Sequence, residues 1–293
     1  MPRRASRSTS RTARSPGPNN RKADRALALV EAARDRGVDL TVEQYPYTAA
    51  STMLSVVLPP WVHADGPDGT IEHLTDEQSR DRIHADVERW RIDGWENFGA
   101  LTGWENLVVS NVESEANAAP EGKSIAEIAD ERGVRATDAV CDLLAEEELG
   151  VSIVAHMLEE GDVREILSNE RVCVATDGLF GGKPHPRVYG TYPRILGTYV
   201  REENLLTLEE AVRKMTSLPA RAMGLDRKGL VRQGMDADLV VFDPATVRST
   251  ATFDDPRRHP KGIHHVLVDG EFVVRDGETT GETPGRAIRA GVE

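Results

Sequence analysis

Apolar positions recur with two different periods along the first part of the chain. At helical spacing they run from about residue 22 to residue 36, and Gly37 follows, which predicts a helix that ends at this glycine. Apolar and polar positions then alternate over residues 38–44, as in a half-buried strand, until Pro46 interrupts the pattern. The sequence therefore predicts a helix followed by a strand that runs into a loop.

Three later apolar runs predict further strands, at residues 107–112, 151–156 and 172–177. Helical sequence over 124–149 and 161–168 lies between them. Alternation of strands and helices is typical of parallel sheets, whose strands are apolar on both faces. The sequence predicts an α/β fold in which these three runs and the earlier strand are parallel.

Two other regions have a different pattern. Residues 48–104 are rich in charge and tryptophan and weakly periodic, which predicts a lid-like insertion with one amphipathic helix near residues 76–90. A capping box at Thr207 and Glu210 predicts the start of another helix.

After Gly224 the pattern becomes all-β. It contains one short strand over 238–244 and a hairpin whose Asp269-Gly270 turn suits a type I′ connection. The expected domains are a disordered basic tail (1–20), an α/β region (21–224, with the 48–104 insertion) and a small β domain segment with a C-terminal tail (225–293).

Charge and cysteine content narrow the class of protein. The chain has 36 basic and 49 acidic residues, and its first twenty residues carry five arginines and no acid, so the remainder is strongly acidic. An acidic body excludes nucleic-acid binding as the main activity, and no apolar stretch is long enough to cross a membrane. The two cysteines, Cys141 and Cys173, lie in apolar runs, which excludes a disulfide framework and predicts a cytoplasmic location.

Asp177 is the first candidate for chemistry. It ends an apolar strand and precedes Gly178, and in parallel α/β folds ligands bind at the carboxyl ends of strands. From the local sequence alone a helix cap or turn role is the more common one for such an aspartate. Both interpretations stay open at this level.

Arginine and histidine provide further candidates. Arg187 follows Asp177 in a loop rich in aromatic residues, and its planar guanidinium suits an acidic substrate, although a surface ion pair is the commoner role. His156 ends another predicted strand and is the one candidate metal ligand, although a hydrogen-bonded structural role is more frequent. The adjacent pair His264-His265 lies in a predicted strand, where neighbouring side chains point in opposite directions and do not chelate one ion readily.

Several segments together carry a family resemblance: residues 39–48 (DLTVEQYPYT), 175–178 (ATDG), 185–194 (HPRVYGTYPR), 214–220 (KMTSLPA) and 234–240 (GMDADLV). They closely resemble the N-acyl-D-amino-acid deacylases (D-aminoacylases) of the amidohydrolase superfamily. The resemblance covers essentially residues 21 to 290. The last segment is shared by many amidohydrolases, whereas the Tyr-Pro-Tyr and His-Pro-Arg segments are more specific to this branch.

The resemblance implies a metal-dependent-hydrolase (β/α)₈ TIM-like barrel with a small β-sandwich, and hydrolysis of the amide of N-acyl-D-amino acids by zinc-activated water. Asp177 would take a proton from that water and deliver it to the leaving nitrogen. Arg187 and either Tyr45 or Tyr47 would hold the free carboxylate of the substrate. Residues 21–224 would be a partial amidohydrolase barrel, and the insertion after Tyr47 would act as the lid.

The resemblance also implies what this chain lacks. The usual metal ligands of the family lie N-terminal to the matching region, so we expect the C-terminal half of a barrel, from a truncated gene product, with the zinc ligands missing. Two alternatives stay open: a catalytically inactive fragment or subunit, and a hydantoinase-like enzyme for cyclic amides, which Arg187 disfavours. We also expect self-association through an unpaired edge of strand 38–44.

Overall fold

The computed structural model describes residues 8–9, 23–89, 94–115 and 118–288. Its α-helices are α1 (Ala23–Asp35), α2 (Gly66–Thr75), α3 (Glu77–Glu88), α4 (Phe98–Thr102), α5 (Ile125–Arg132), α6 (Ala136–Glu146), α7 (Glu160–Ser168), α8 (Arg187–Arg194), α9 (Leu208–Met215) and α10 (Ser217–Met223). Its strands are β1 (Ser8–Thr9), β2 (Leu40–Gln44), β3 (Ala50–Met53), β4 (Leu107–Asn111), β5 (Ser152–Ala155), β6 (Val172–Val174), β7 (Leu239–Phe242), β8 (Ile263–Val268), β9 (Glu271–Arg275) and β10 (Glu278–Thr279). Most of the predicted tail, residues 1–20, lies outside the described residues.

A parallel sheet in the order β1-β2-β6 forms the first region, so β2 is paired on both sides and the expected unpaired edge of strand 38–44 is not found. β2 and β6 are paired from Val42–Val172 to Gln44–Val174, so two strands far apart in sequence are neighbours. Val42 and Val172 pack against α1 and α7, as buried parallel strands do. The helix and strand predicted over residues 22–44, and the strand predicted after residue 171, are confirmed.

A second, antiparallel sheet in the order β3-β5-β4 lies between these strands in sequence. Ala155 of β5 is paired with Ala50 of β3 and with Leu107 of β4. The prediction that the runs at 107–112 and 151–156 are parallel strands beside 38–44 is therefore wrong. An apolar run indicates that a strand is buried, but not whether it is parallel or antiparallel to its neighbours. The residues of β3 are too polar for their pattern to predict the strand that pairs with β5.

The second sheet shares its apolar core with the helices around it. Side chains from α2, α3, α5 and α6 pack on β4 and β5, and Leu74, Leu107 and Leu144 are fully buried there. The predicted insertion 48–104 thus packs with later segments as far as Met157. The helical stretch predicted over 124–149 is two helices, because Gly133 ends α5 in the left-handed region at φ +65°.

The C-terminal part builds a separate antiparallel sheet in the order β10-β9-β8-β7. The predicted hairpin is confirmed: Asp269 and Gly270 have φ of 52° and 86°, as a type I′ turn requires. A π-helix over Ile195–Glu202 continues from α8. Val247 is fully buried against this π-helix and α7, which joins the C-terminal segment to the first region.

The free cysteines Cys141 and Cys173 are buried, as the sequence predicted. Burial raises the pKa of the Cys141 thiol to about 12 and that of Cys173 to about 11. Within the part of the chain that the structure describes, the helices are too short or too polar to span a bilayer.

Candidate active site

The carboxyl end of β6 presents Asp177. Its backbone adopts a left-handed conformation, with φ of 47°, which aspartate tolerates better than most residues. The carboxylate is about 40% exposed, unlike the fully buried strand that leads to it. The structure therefore places an accessible acid at the edge of the sheet where parallel α/β folds bind ligands.

Arg187 begins α8 and is fully buried. Its Nη2 lies 3.2 Å from the Asp177 carboxylate and donates hydrogen bonds to the carbonyl oxygens of Ser51, at 3.2 Å, and of Asp177. Its guanidinium lies 4.5 Å from the centre of the Tyr45 ring, within cation–π range. Asp177, Arg187 and Tyr45, chosen from the sequence, are thus brought together.

Tyr47 lies beside this cluster and is buried. Its hydroxyl donates to the carbonyl of Pro186 at 3.4 Å, and its ring meets His185 edge-on at 5.1 Å. Burial raises the pKa of Tyr47 to about 12, so its hydroxyl stays protonated at neutral pH. Gly190 permits this packing, because a Cβ there would lie 2.5 Å from the Tyr47 hydroxyl.

His156 follows β5, and its ring packs on Phe253 at 4.8 Å between ring centres. Burial on this side lowers the pKa of His156. Phe253 also contacts His185 at 5.0 Å, so His156 joins the site through an aromatic neighbour, not through Asp177.

A second acid lies near Asp177. Glu43 points to the face of β2 opposite the apolar packing of Val42, by the alternation of a strand. Burial, and then the nearby charge of Asp177, raise the pKa of Glu43. This face of the parallel sheet is therefore acidic.

Sequence reasoning missed three residues of this site: Glu43, His185 and Phe253. His185 belongs to the His-Pro-Arg segment, so the sequence contained a signal for it, but the sequence analysis gave a role in that segment only to Arg187. Phe253 comes from the loop between β7 and β8, and nothing in its local sequence indicates that this loop folds back onto Tyr47 and His185.

Parallel strands with an accessible carboxylate at their ends, an adjacent buried arginine and a separate C-terminal sheet are the features of an α/β fold with a candidate ligand site at its strand ends. The profile of the amidohydrolase family matches residues 84–274. The chain belongs to the amidohydrolase family.

Its relatives agree with this assignment. The chain is 42% identical to an N-acyl-D-aspartate deacylase of Alcaligenes xylosoxydans xylosoxydans over 172 residues, which is 58% of this chain and 33% of that protein. It is 35% identical to a D-aminoacylase of the same organism over 272 residues, 92% of this chain and 46% of that protein.

Solved structures give the same result. A D-aminoacylase point mutant in complex with copper chloride superposes with a TM-score of 0.75 at 32% identity, covering 96% of this chain and 49% of that one. An N-acyl-D-glutamate deacylase from Bordetella bronchiseptica, complexed with zinc and a phosphonate inhibitor, has a TM-score of 0.70 at 29% identity, covering 92% and 48%. The chain spans about half the length of the relatives it matches.

Solved relatives of this chain are described with copper or with zinc. Across residues 8–9, 23–89, 94–115 and 118–288, no group of three or more His, Cys, Asp or Glu side chains is arranged to hold a metal ion. A tight zinc site needs three or four protein ligands. The carboxylate of Asp177 contacts Arg187, and His156 lies against Phe253.

Proposed function

We propose that this chain provides the proton-transfer side of an N-acyl-D-amino-acid deacylase, which hydrolyses an N-acyl-D-amino acid to a D-amino acid and a carboxylate. The single observation that carries the proposal is the Asp177–Arg187 pair: an accessible carboxylate at the end of a parallel strand, held 3.2 Å from a fully buried guanidinium. The names of the relatives supply the reaction class.

Asp177 is proposed as the group that moves the proton. Its carboxylate accepts a proton from the attacking water and returns it to the amide nitrogen as the C–N bond breaks. The neighbouring guanidinium contacts the carboxylate at 3.2 Å and limits its rotation, as the positioning of a general base requires. Its exposure leaves room for water on the side away from Arg187.

Arg187 with Tyr45 or Tyr47 is proposed to hold the carboxylate of the substrate. Arginine binds carboxylates through a planar fork, and Tyr45 stacks on that fork. Because Arg187 is fully buried and already contacts Asp177, a substrate carboxylate would reach the guanidinium only if neighbouring side chains move on binding, and it would then share the guanidinium with Asp177. This arrangement favours an open-chain substrate with a free carboxylate over a cyclic amide.

Zinc is the proposed metal of the complete enzyme, since a solved relative is described with zinc. We derive no step through it, because the described residues do not supply its ligands. A cytoplasmic location remains a prediction, consistent with two free, buried cysteines.

The direct test adds back the other half of the barrel. The chain is assayed alone and after co-expression with the N-terminal half of the D-aminoacylase relative, using N-acetyl-D-aspartate, N-acetyl-D-glutamate and N-acetyl-D-methionine with their L-enantiomers as controls. We expect D-specific hydrolysis only in the co-expressed sample. A well-folded assembly that binds zinc and hydrolyses none of these substrates would contradict the proposal.

A second candidate is a chain that depends on a partner for its metal. The carboxylate of Asp177 contacts Arg187 and the ring of His156 packs on Phe253, which favours this candidate over independent activity. Metal analysis of the dialysed chain should then find well below one zinc per chain. A value near one would show that the chain holds its own metal.

A further inference from the structure

His185 is almost completely buried, at 1% exposure, and both of its ring nitrogens face backbone groups. The backbone N–H of Arg187 donates to Nδ1 at 2.9 Å, and Nε2 lies 3.1 Å from the carbonyl oxygen of Ala49. An N–H group only donates and a carbonyl only accepts, so these partners require a bare Nδ1 and a protonated Nε2. The surroundings of His185 thus select one neutral tautomer.

The charges and rings around His185 favour the same neutral form. The rings of Tyr45, Tyr47 and Phe253 enclose the imidazole, at centre distances of 6.3, 5.1 and 5.0 Å. Burial, followed by the positive charge of Arg187, lowers the pKa of His185 to about 2. His156 is the other titratable group whose charge acts on it in the same direction.

The two hydrogen bonds of His185 connect both sides of the Arg187 site. Ala49 precedes β3, whose Ser51 carbonyl accepts from the guanidinium at 3.2 Å. The backbone of Arg187 is the second attachment point. His185 therefore fixes the position of the arginine main chain relative to the strand that its side chain contacts.

We infer that His185 is a positioning residue, which uses its neutral Nε2–H tautomer to hold Arg187 in register with β3 and so directs the guanidinium onto Asp177. The importance of this register for catalysis rests on the proposed function, but the positioning itself does not. A proton-relay role does not fit, because both nitrogens are occupied by backbone groups. A simple packing role would need only the shape of the ring.

Three substitutions of His185 distinguish the effect of its two hydrogen bonds from the effect of its ring shape. Asparagine at this position places an acceptor near the site of Nδ1, and glutamine places a donor near the site of Nε2. Phenylalanine keeps the ring and removes both bonds. The matched control is His73→Phe, since His73 also makes a side-chain hydrogen bond, to Ser79 at 3.1 Å, and packs edge-on against Trp61, in the second sheet region.

The readout is nuclear magnetic resonance of the intact chain. The imidazole ¹⁵N signals report the tautomer in the unmodified protein, and the Arg187 Nε–H signal, assigned by its loss in Arg187→Lys, reports the fixed guanidinium. We expect the Nε2–H tautomer throughout pH 5 to 8. Exchange of the Arg187 Nε–H with solvent should increase about ten-fold in His185→Phe, as expected for the loss of a buried hydrogen bond, and less in His185→Asn and His185→Gln.

Several results would overturn the inference. One is an Nδ1–H tautomer or a charged imidazolium at pH 5 to 8 in the unmodified chain, which needs no variant to fold. Another is an unchanged Arg187 exchange rate in a folded His185→Phe protein, or an equal change in His73→Phe. Because no step of this experiment measures hydrolysis, its outcome is independent of whether the chain belongs to an active deacylase.

Discussion

The region of β3, β4 and β5 and the region of β2 and β6 both contain buried strands, and they differ in what surrounds these strands. In the region of β3, β4 and β5 the interior is a large apolar core, and charges such as Arg132 and Glu146 pair at the surface. In the region of β2 and β6 the apolar clusters are smaller, and buried polar side chains such as His185, Arg187 and Lys214 lie close to the strand ends.

This difference separates a stability function from a chemical one. Burying apolar surface stabilises the fold without directional requirements, whereas buried polar groups are tolerated only when their partners are in place. Lys214 illustrates the second case: its amine donates to the carbonyl of Val172 at 3.0 Å at the start of β6. The region of β2 and β6 therefore depends on the geometry of its polar contacts, and the region of β3, β4 and β5 depends on filled volume.

The largest expected effect on stability is in the apolar core. Leu144→Ala empties a fully buried site in α6 and should lower the free energy of unfolding by about 2–5 kcal/mol, measured by denaturant titration. Val134→Ala, at a half-exposed position, is the control and should change stability by less than about 0.5 kcal/mol. If Leu144→Ala also altered the Arg187 Nε–H signal, the geometry of the polar region would depend on the apolar core, and the two regions would not be independent.

Gly190→Ala tests the close packing of the polar region. A Cβ at this position would collide with Ser249 Oγ and lie 2.5 Å from the Tyr47 hydroxyl, so overpacking should cost about 1–3 kcal/mol. Gly161→Ala is the matched control, because it is also helical and has open space around it, and should be neutral or slightly stabilising. Equal stability of the two variants would show that α8 does not need the close approach.

The pH dependence of stability should differ between the native protein and His185→Asn. The pKa of His185 is about 2 in the folded chain, below the ordinary value of 6.5, so below pH 6.5 the unfolded chain binds the additional proton. The stabilisation that the neutral His185 gives the folded chain is complete above pH 6.5. It is lost as the pH falls, by up to roughly 1.4 kcal/mol per pH unit.

The comparison uses unfolding titrations of both proteins from pH 7.5 to pH 4.5. Other acid-sensitive groups, such as Asp138, whose pKa Arg135 holds below its ordinary value, are present in both and cancel in the difference. The stability difference should therefore change in favour of His185→Asn as the pH falls. A difference that is constant with pH would contradict the neutral buried histidine.

Helix capping should have the smallest effect and be similar in both regions. Ser124 caps α5 in a complete capping box with Glu127, and Thr207 caps α9 by accepting from the Glu210 N–H at 3.2 Å. Replacing either with alanine should lower the free energy of unfolding by about 1 kcal/mol. Thermal melts of both variants, with Ser124→Thr as the conservative control, would show whether local capping depends on the region.

Local patterns predicted much of this architecture. The helix before Gly37, the strand that leads to Gln44, the helix capped by Thr207 and the Asp269-Gly270 hairpin all follow from spacing and turn chemistry. The pairing of Asp177 with Arg187 was reachable because both lie in short segments after one strand.

What the sequence could not provide depends on contacts between distant segments. The direction of β4 and β5 depends on β3, whose residues are too polar to mark a strand. The contact of Phe253 with His185 depends on how the C-terminal segment folds back. The dual hydrogen bonding of His185 depends on Ala49, which has no side-chain signal at all.

The most direct test of the central claim is the turnover of Asp177→Asn in the assembly that contains both halves of the barrel. The substitution keeps the shape of the side chain and removes the proton acceptor, so kcat should fall by roughly 10² to 10⁴-fold with little change in KM. The control is Asp142→Asn, which removes an ion-pair partner of Arg132 in the other region and should leave kcat unchanged. Near-native turnover of Asp177→Asn would contradict the account and return this aspartate to a turn-forming role.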